Sequence, residues 1–360
     1  MVAAAVAAGV AGLPWSPISQ QFFGDPAGYA TNANLARSMA NGGPWPPHWL
    51  FHGQVVVVHT LMPWSTWLGA SWVVIMFSYG AQGAVLCWLL MRHVAAIVAI
   101  PLATGIIIAA PITIFTWNNT LYFGYLNMES WLSPTHAMLK PLAILVMAFA
   151  TSRPSIGRGL WLAVASIAAT LTKPSLAVSL VPASTVVVIP KLLKRPRDLY
   201  SWYLPLALLL PTVFVLLWQF SSYFGAGSRS KIVFAPLVMM RHYSDQLAPK
   251  FFLSIALPLT VLAAYGRKVF DDLWMQLAWP AFLVAASYTY LLSETRSPFA
   301  GNWIWPSQIT TYLLFVGSAL VVLRHRSPAW SDQVRTLICG AVFALHILCG
   351  AVFYSTQRFP

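Results

Sequence analysis

The sequence predicts an all-α fold, a polytopic transmembrane helical bundle of about 11 membrane segments (range roughly 9–12). Three observations carry that expectation. The chain of 360 residues is 58% hydrophobic and 8% charged, whereas a soluble domain carries about a quarter charged residues. Its apolar runs recur at about 15 to 25 residues and are parted by short basic or Pro-rich breaks, unlike the alternation of a membrane barrel. Basic clusters then fall at every second break, as the asymmetry between cytoplasmic and external loops requires.

Taken in order, the expected spans lie near 2–13, 66–90, 94–115, 135–150, 159–172, 175–190, 202–220, 251–265, 274–292, 305–323 and 334–354. The first run, MVAAAVAAGVAGL, has no basic region before it and reads as a membrane helix rather than a signal peptide. Between it and the second run, residues 14–60 form a long first external loop. Arg92, Arg153, Arg158, KLLKRPR (191–197), GRK (266–268) and RHR (324–326) mark cytoplasmic gaps. The other gaps, 14–60, 116–134, the Lys173-Pro174 point, 221–250 and 293–304, then face the opposite side. At TKPS (172–175) a lysine beside a proline predicts two short helices meeting at a broken, polar point. No internal repeat or linker divides residues 1–360, so one transmembrane domain is expected.

The net charge of +13 is that of loop ends lying against lipid phosphates and does not point to nucleic acid. Cys87, Cys339 and Cys349 sit in apolar runs as packing residues. No G-x-x-x-x-G-K-[ST] string is present, which excludes a nucleotide-driven pump of that type.

The chain has eight acids. Asp198, Asp271, Asp272 and Asp332 balance the cytoplasmic basic clusters, while Asp25, Glu129, Asp245 and Glu294 fall in the opposite loops. Asp25, in FGDPAGY, suits a helix N-cap with Pro26 at the first helical position. Near the bilayer surface it is also placed to accept a proton from an incoming hydroxyl. The loop then stiffens at Pro44, Pro46 and Pro47 and presents Trp45, His48, Trp49 and His52, rings that suit a sugar face or a lipid phosphate. His48 and His52 stand four apart with no third metal ligand at helical spacing.

The stretch GDPAGYATNANLARSMANGGPWPPHWLFH resembles the first external loop of GT-C glycosyltransferases: an early acid, a surface helix, a Gly/Pro turn and an aromatic/His entry into the next helix. LTKPSLAVSLVP (171–182) and GYLNMESWLSPTHAMLKPLAI (124–144) are similar to segments of bacterial members tied to surface polysaccharide. The resemblance covers loosely the first 190 residues. It implies a polyprenyl-phosphate (or diphosphate) sugar donor, a cell-envelope glycan or lipid-linked acceptor, and action at the periplasmic face of a bacterial inner membrane. It implies Asp25 as the general base; Tyr29, Trp45, His48, His52, Glu129, His136 and Glu294 are assigned toward sugar and acceptor. Many members carry paired acids in this loop. Here Gly24 precedes Asp25, which leaves a divalent metal (Mg or Mn) undecided.

A lipid phosphate leaving group needs positive charge and directional donors. On the external side Lys173, Arg241, His242 and Arg296 are assigned to it, with Arg229, Lys231 and Lys250 read as loop solvation. Residues 221–250, punctuated by Gly225 and Gly227, suit a membrane-hugging lid. Two alternatives stay open. A lipid-linked glycan transporter or flippase should show matching broken helices in its two halves, and the sequence displays one evident break. An O-antigen-type ligase or polymerase would draw on arginines of the late external loop.

Overall fold

The computed structural model describes residues 27–114, 124–128, 133–224, 231–296, 298–299 and 302–356. Among them the chain is α-helical apart from one two-stranded ribbon. The helices are α1 Ala27–Ala40, α2 Leu50–Leu61, α3 Trp67–Leu90, α4 Ala96–Ile108, α5 Pro134–Ala150, α6 Ile156–Thr172 and α7 Ser175–Lys194. They continue with α8 Leu210–Phe224, α9 Val238–Tyr243, α10 Leu247–Ser254, α11 Ala256–Tyr265, α12 Leu273–Leu291, α13 Ile304–His325 and α14 Trp330–Thr356. Asp25, Pro26 and the predicted span 2–13 lie outside the described residues.

The membrane count is lower than expected. Among the described residues five helical stretches are long and apolar enough to cross a bilayer: Trp67–Leu90, Ser175–Lys194, Pro205–Ser222, Ile304–His325 and Trp330–Phe353. The bent pair α10–α11 raises this to six at most. The difference from about 11 has a simple cause: α2, α4, α5 and α6 have 10–17 residues, and at 1.5 Å per residue these fall short of a ~30 Å hydrocarbon core. The run expected over 94–115 stops at Ile108 because Pro111 disfavours helix at Ala110. α12 is long enough but is diluted by Gln276, Pro280, Ser287, Tyr288 and Tyr290.

The span expected over 251–265 is bent by 63° between Ser254 and Ala256. Pro258 cannot donate to the Ser254 carbonyl four residues back, and that missing bond breaks the helix. The amide of Leu257 turns instead to His346 Nε2 of α14 (3.3 Å), while His346 Nδ1 bonds the Ala110 carbonyl at the frayed end of α4 (2.6 Å). His346 is fully buried and so ties together two interrupted helices.

α13 is the central helix, buried on nearly all sides. Its small and hydroxylated residues allow this: a Cβ on Gly317 would stand 2.7 Å from Trp274 Cδ1, so glycine lets α12 approach. Trp274 Nε1 then donates to the Leu313 carbonyl at 2.9 Å. α12 packs against both α7 and α13, α5 lies against α3 and α6, and α1 and α2 rest on the start of α3.

Two ends are distinct. At one, Arg324 pairs with Asp272 and Arg335 with Asp332 (2.9 Å), so these acids balance the basic clusters. Asp272 also caps α12 through the Trp274 amide (3.0 Å). At the other end lie the starts of α2, α5, α7 and α13, the break after α6 and the end of α12. The predicted lid, 221–250, carries structure of its own there: β1 Ile232–Phe234 pairs antiparallel with β2 Leu292–Glu294, Val233 opposite Ser293, and α9 and the start of α10 follow.

Candidate functional site

Lys173 marks the site. α6 ends at Thr172, Lys173 is extended (φ −164°, ψ 129°), and Pro174 opens α7. The predicted broken point is therefore present, and it carries the lysine inward. Lys173 Nζ donates to Ser133 Oγ at 2.9 Å and sits 3.8 Å from the centre of the Trp305 ring. Burial of this ammonium pulls its pKa down to about 7. A cation in such a place is costly unless it meets a partner or a ligand, and among the described residues no carboxylate pairs with it.

Two imidazoles, His48 and His136, lie near the lysine, and a third, His52, adjoins His48. His136, in the first turn of α5, is fully buried, lies 5.6 Å ring to ring from Trp305, and has no hydrogen-bond partner at either ring nitrogen. His48 stands in the Pro-rich turn before α2 and His52 within α2, their rings 5.8 Å apart. His52 Nε2 donates to Asn32 Oδ1 of α1 at 2.8 Å. The turn is held by Gln219 of α8, whose amide donates to the carbonyls of both Pro47 and Thr170 at 2.9 Å. One side chain thus fixes the His48 turn to the end of α6.

The pKa of His48 is lowered to about 4, first by burial and then by the charge of Lys173. That of His52 is also lowered to about 4 by burial and by His48, against a raising hydrogen bond to the His48 backbone. The unfolded chain, with histidines near 6.5, binds more protons than the folded one between about pH 4 and 6.5. Stability from these residues is present above about 6.5 and is lost as pH falls toward 4. Lys173 acts in the same sense, losing stability as pH drops from about 10.5 to 7. The midpoint of thermal unfolding should fall between pH 7.5 and 4.5, and His48→Gln with His52→Gln should flatten that fall; an equally steep profile in the double variant would refute the assignment.

The other predicted residues separate into groups. Arg241, His242 and Arg296 are exposed and belong to the ribbon end; no described contact joins them to Lys173. His242 stacks on Phe299 at 4.0 Å and 17°, and Tyr243 donates to the Phe299 carbonyl at 2.6 Å. Glu294, at the end of β2, accepts from Asn302 Nδ2 at 2.9 Å. Trp45 is exposed, meets Trp49 edge to face at 5.1 Å, and with Met39, Gly53, Val57 and Phe77 lines an apolar groove of about 490 Å³. Asp25 and Glu129 lie outside the described residues, as does the side chain of Tyr29, which falls in the first turn of α1.

Three contributors were not singled out in the sequence. Ser133 and Trp305 are unremarkable in their own stretches of sequence. Lys140 lies inside an apolar run, a signal by itself. It is fully buried, 4.9 Å from the Tyr312 ring, whose hydroxyl accepts from Gln82 Nε2 at 2.9 Å.

Imidazoles beside an ammonium, without a described carboxylate, do not fit Mg or Mn, which take oxygen ligands. Among the described residues no group of three or more His, Cys, Asp or Glu is placed to hold a metal. The arrangement instead suits an anion: a half-buried cation, neutral imidazoles able to donate, a hydroxyl and an indole wall. The chain matches no family model, and no curated protein or solved structure is significantly similar to it.

Proposed function

We propose that the protein is an integral membrane glycosyltransferase that moves a sugar from a polyprenyl-phosphate or diphosphate donor to a cell-envelope glycan or lipid-linked acceptor on the non-cytoplasmic face. The observation that supports this is the Lys173 ammonium, held at a helix break by a hydroxyl and an indole face. Such a group favours an anion, and helices apolar enough for a membrane favour an anion carried on a lipid. Trp305 and the three histidines offer a sugar ring a stacking face and hydrogen-bond donors.

In this reading the acceptor oxygen bonds to the anomeric carbon and the bond from that carbon to the phosphate oxygen breaks. The electron pair leaves with the phosphate, whose added charge Lys173 offsets, and the acceptor proton passes to the Asp25 carboxylate. Purified protein given a panel of polyprenyl-phosphate sugars should transfer at least one of them. Asp25→Asn, which cannot take the proton, should be slower by about 100-fold or more. Full activity in that variant would remove Asp25 from the chemistry.

One observation favours a second reading, a lipid-linked glycan transporter. The sequence displays one helix break, but the structure has another in the second half, the 63° bend between α10 and α11, and paired breaks are what a transporter of inverted repeats would carry. Movement of lipid-linked sugar across vesicles without any transfer would select it.

A further inference from the structure

The Lys173 cluster is unusual in what it omits. Lys173, at the α6–α7 break, acts on His48 of the Pro-rich turn and His136 of α5; Lys140 of α5 also acts on His136, and His52 of α2 adjoins His48. α13 brings Tyr312, whose ring lies 4.9 Å from Lys140 Nζ, and carries Arg324 and His325 in its last turn, while the titratable groups of α12 are the phenols Tyr288 and Tyr290. No described carboxylate pairs with Lys173, and Glu294 accepts from Asn302 Nδ2 by the ribbon. His136 brings a second, independent sign of a ligand: a fully buried ring with neither nitrogen engaged. Having no acceptor for a second N–H and lying close to two ammonium groups, that ring is neutral.

We propose that this cluster is a proton-coupled oxyanion site, which takes up a proton at Lys173 when a phosphodiester or like oxyanion enters and returns it when the anion leaves. The proposal deepens the reading of this site as the phosphate end of a lipid-linked substrate and rests on it for the choice of anion. The physics is a matter of counter-charge, which no described carboxylate supplies to Lys173. Without an anion, burial holds the Lys173 pKa near neutrality, at about 7. An entering oxyanion supplies the opposite charge a few ångströms away, so the protonated form wins over the same pH range. His136 adds an N–H donor without adding charge, and Ser133 Oγ, which accepts from Lys173, also shares a hydrogen bond with Thr135 Oγ1 at 3.0 Å. Binding and protonation are then linked, and above neutrality affinity should weaken by about tenfold for each pH unit gained.

The test uses the full chain in lipid nanodiscs and two probes, dimethyl phosphate and farnesyl methyl phosphate. Both bear one negative charge and do not titrate near neutrality. Calorimetry in buffers of different ionisation heat, from pH 6 to 9, reads the protons taken up per anion bound. Uptake approaching one proton at pH 8.5 and near none at pH 6 is expected, with Lys173→Arg binding at a pH-independent affinity and without uptake, because arginine stays charged throughout. His136→Gln should weaken binding by about tenfold and leave the uptake in place.

Uptake with both probes assigns the site to the phosphate group alone, and uptake with the farnesyl probe alone assigns it to a lipid headgroup; either upholds the coupling. Binding of either probe without proton uptake, or binding of neither, overturns it. So does undiminished binding in Lys173→Met. Proton uptake in a protein that transfers no sugar would sink the transferase reading and leave this one standing. Transfer without uptake would do the reverse.

Discussion

Lys173→Met is expected to lower sugar transfer by on the order of 10³-fold, the scale of losing a buried donor aimed at developing charge, while leaving the fold at least as stable. The two halves of that expectation have one cause. The ammonium is held by one hydroxyl and one ring, too few contacts to offset its desolvation, so a methionine of similar length should pack there at no loss. Function and stability therefore move in opposite directions. Transfer assays paired with thermal unfolding of the same preparation read both. Loss of activity together with a large loss of stability would make Lys173 structural, and retained activity would dismiss it from the site.

The second large effect is on stability and lies far from Lys173 in the chain. His346→Ala should cost about 4 kcal/mol, because it leaves the Leu257 amide and the Ala110 carbonyl buried without partners, at about 1–3 kcal/mol each, and empties the space beside Phe315, 4.8 Å away ring to ring. Unfolding by heat in detergent measures it. A shift no larger than that of an exposed substitution on α14, such as Leu348→Ala, would show that the two broken helices hold their ends without this residue.

How much of this could be read in advance depends on range. TKPS declared its break locally, since proline and lysine in an apolar run are both expensive there. His48, His52 and His136 were legible as polar rings at one end of the bundle. Ser133 and Trp305 were not, because their role comes from tertiary placement and neither is unusual in its own neighbourhood. The bend at Ser254 had a signal in Pro258, four residues on, but an apolar flank on both sides hid it. The helix count failed for a related reason: apolar runs mark where chain is buried, and α5 and α6 bury theirs against protein over fewer than 18 residues. Arg241, His242 and Arg296 share an end of the molecule with Lys173, which charge patterning can show, but residue spacing says nothing of their distance from it.

The helix ends at the site have an electrical meaning of their own. Ser133 caps the start of α5, Pro174 the start of α7, and Trp305 lies in the first turn of α13. Three amino-terminal ends thus lie at the end of the bundle where Lys173 sits, with the carboxy-terminal ends of α6 and α12. Each amino-terminal end carries about half a positive charge and can stabilise a nearby anion by about 0.3–1 kcal/mol. The backbone therefore sets a positive potential here before any side chain is counted. A chain stripped of the Lys173 ammonium should still favour anions over cations at this end, only more weakly.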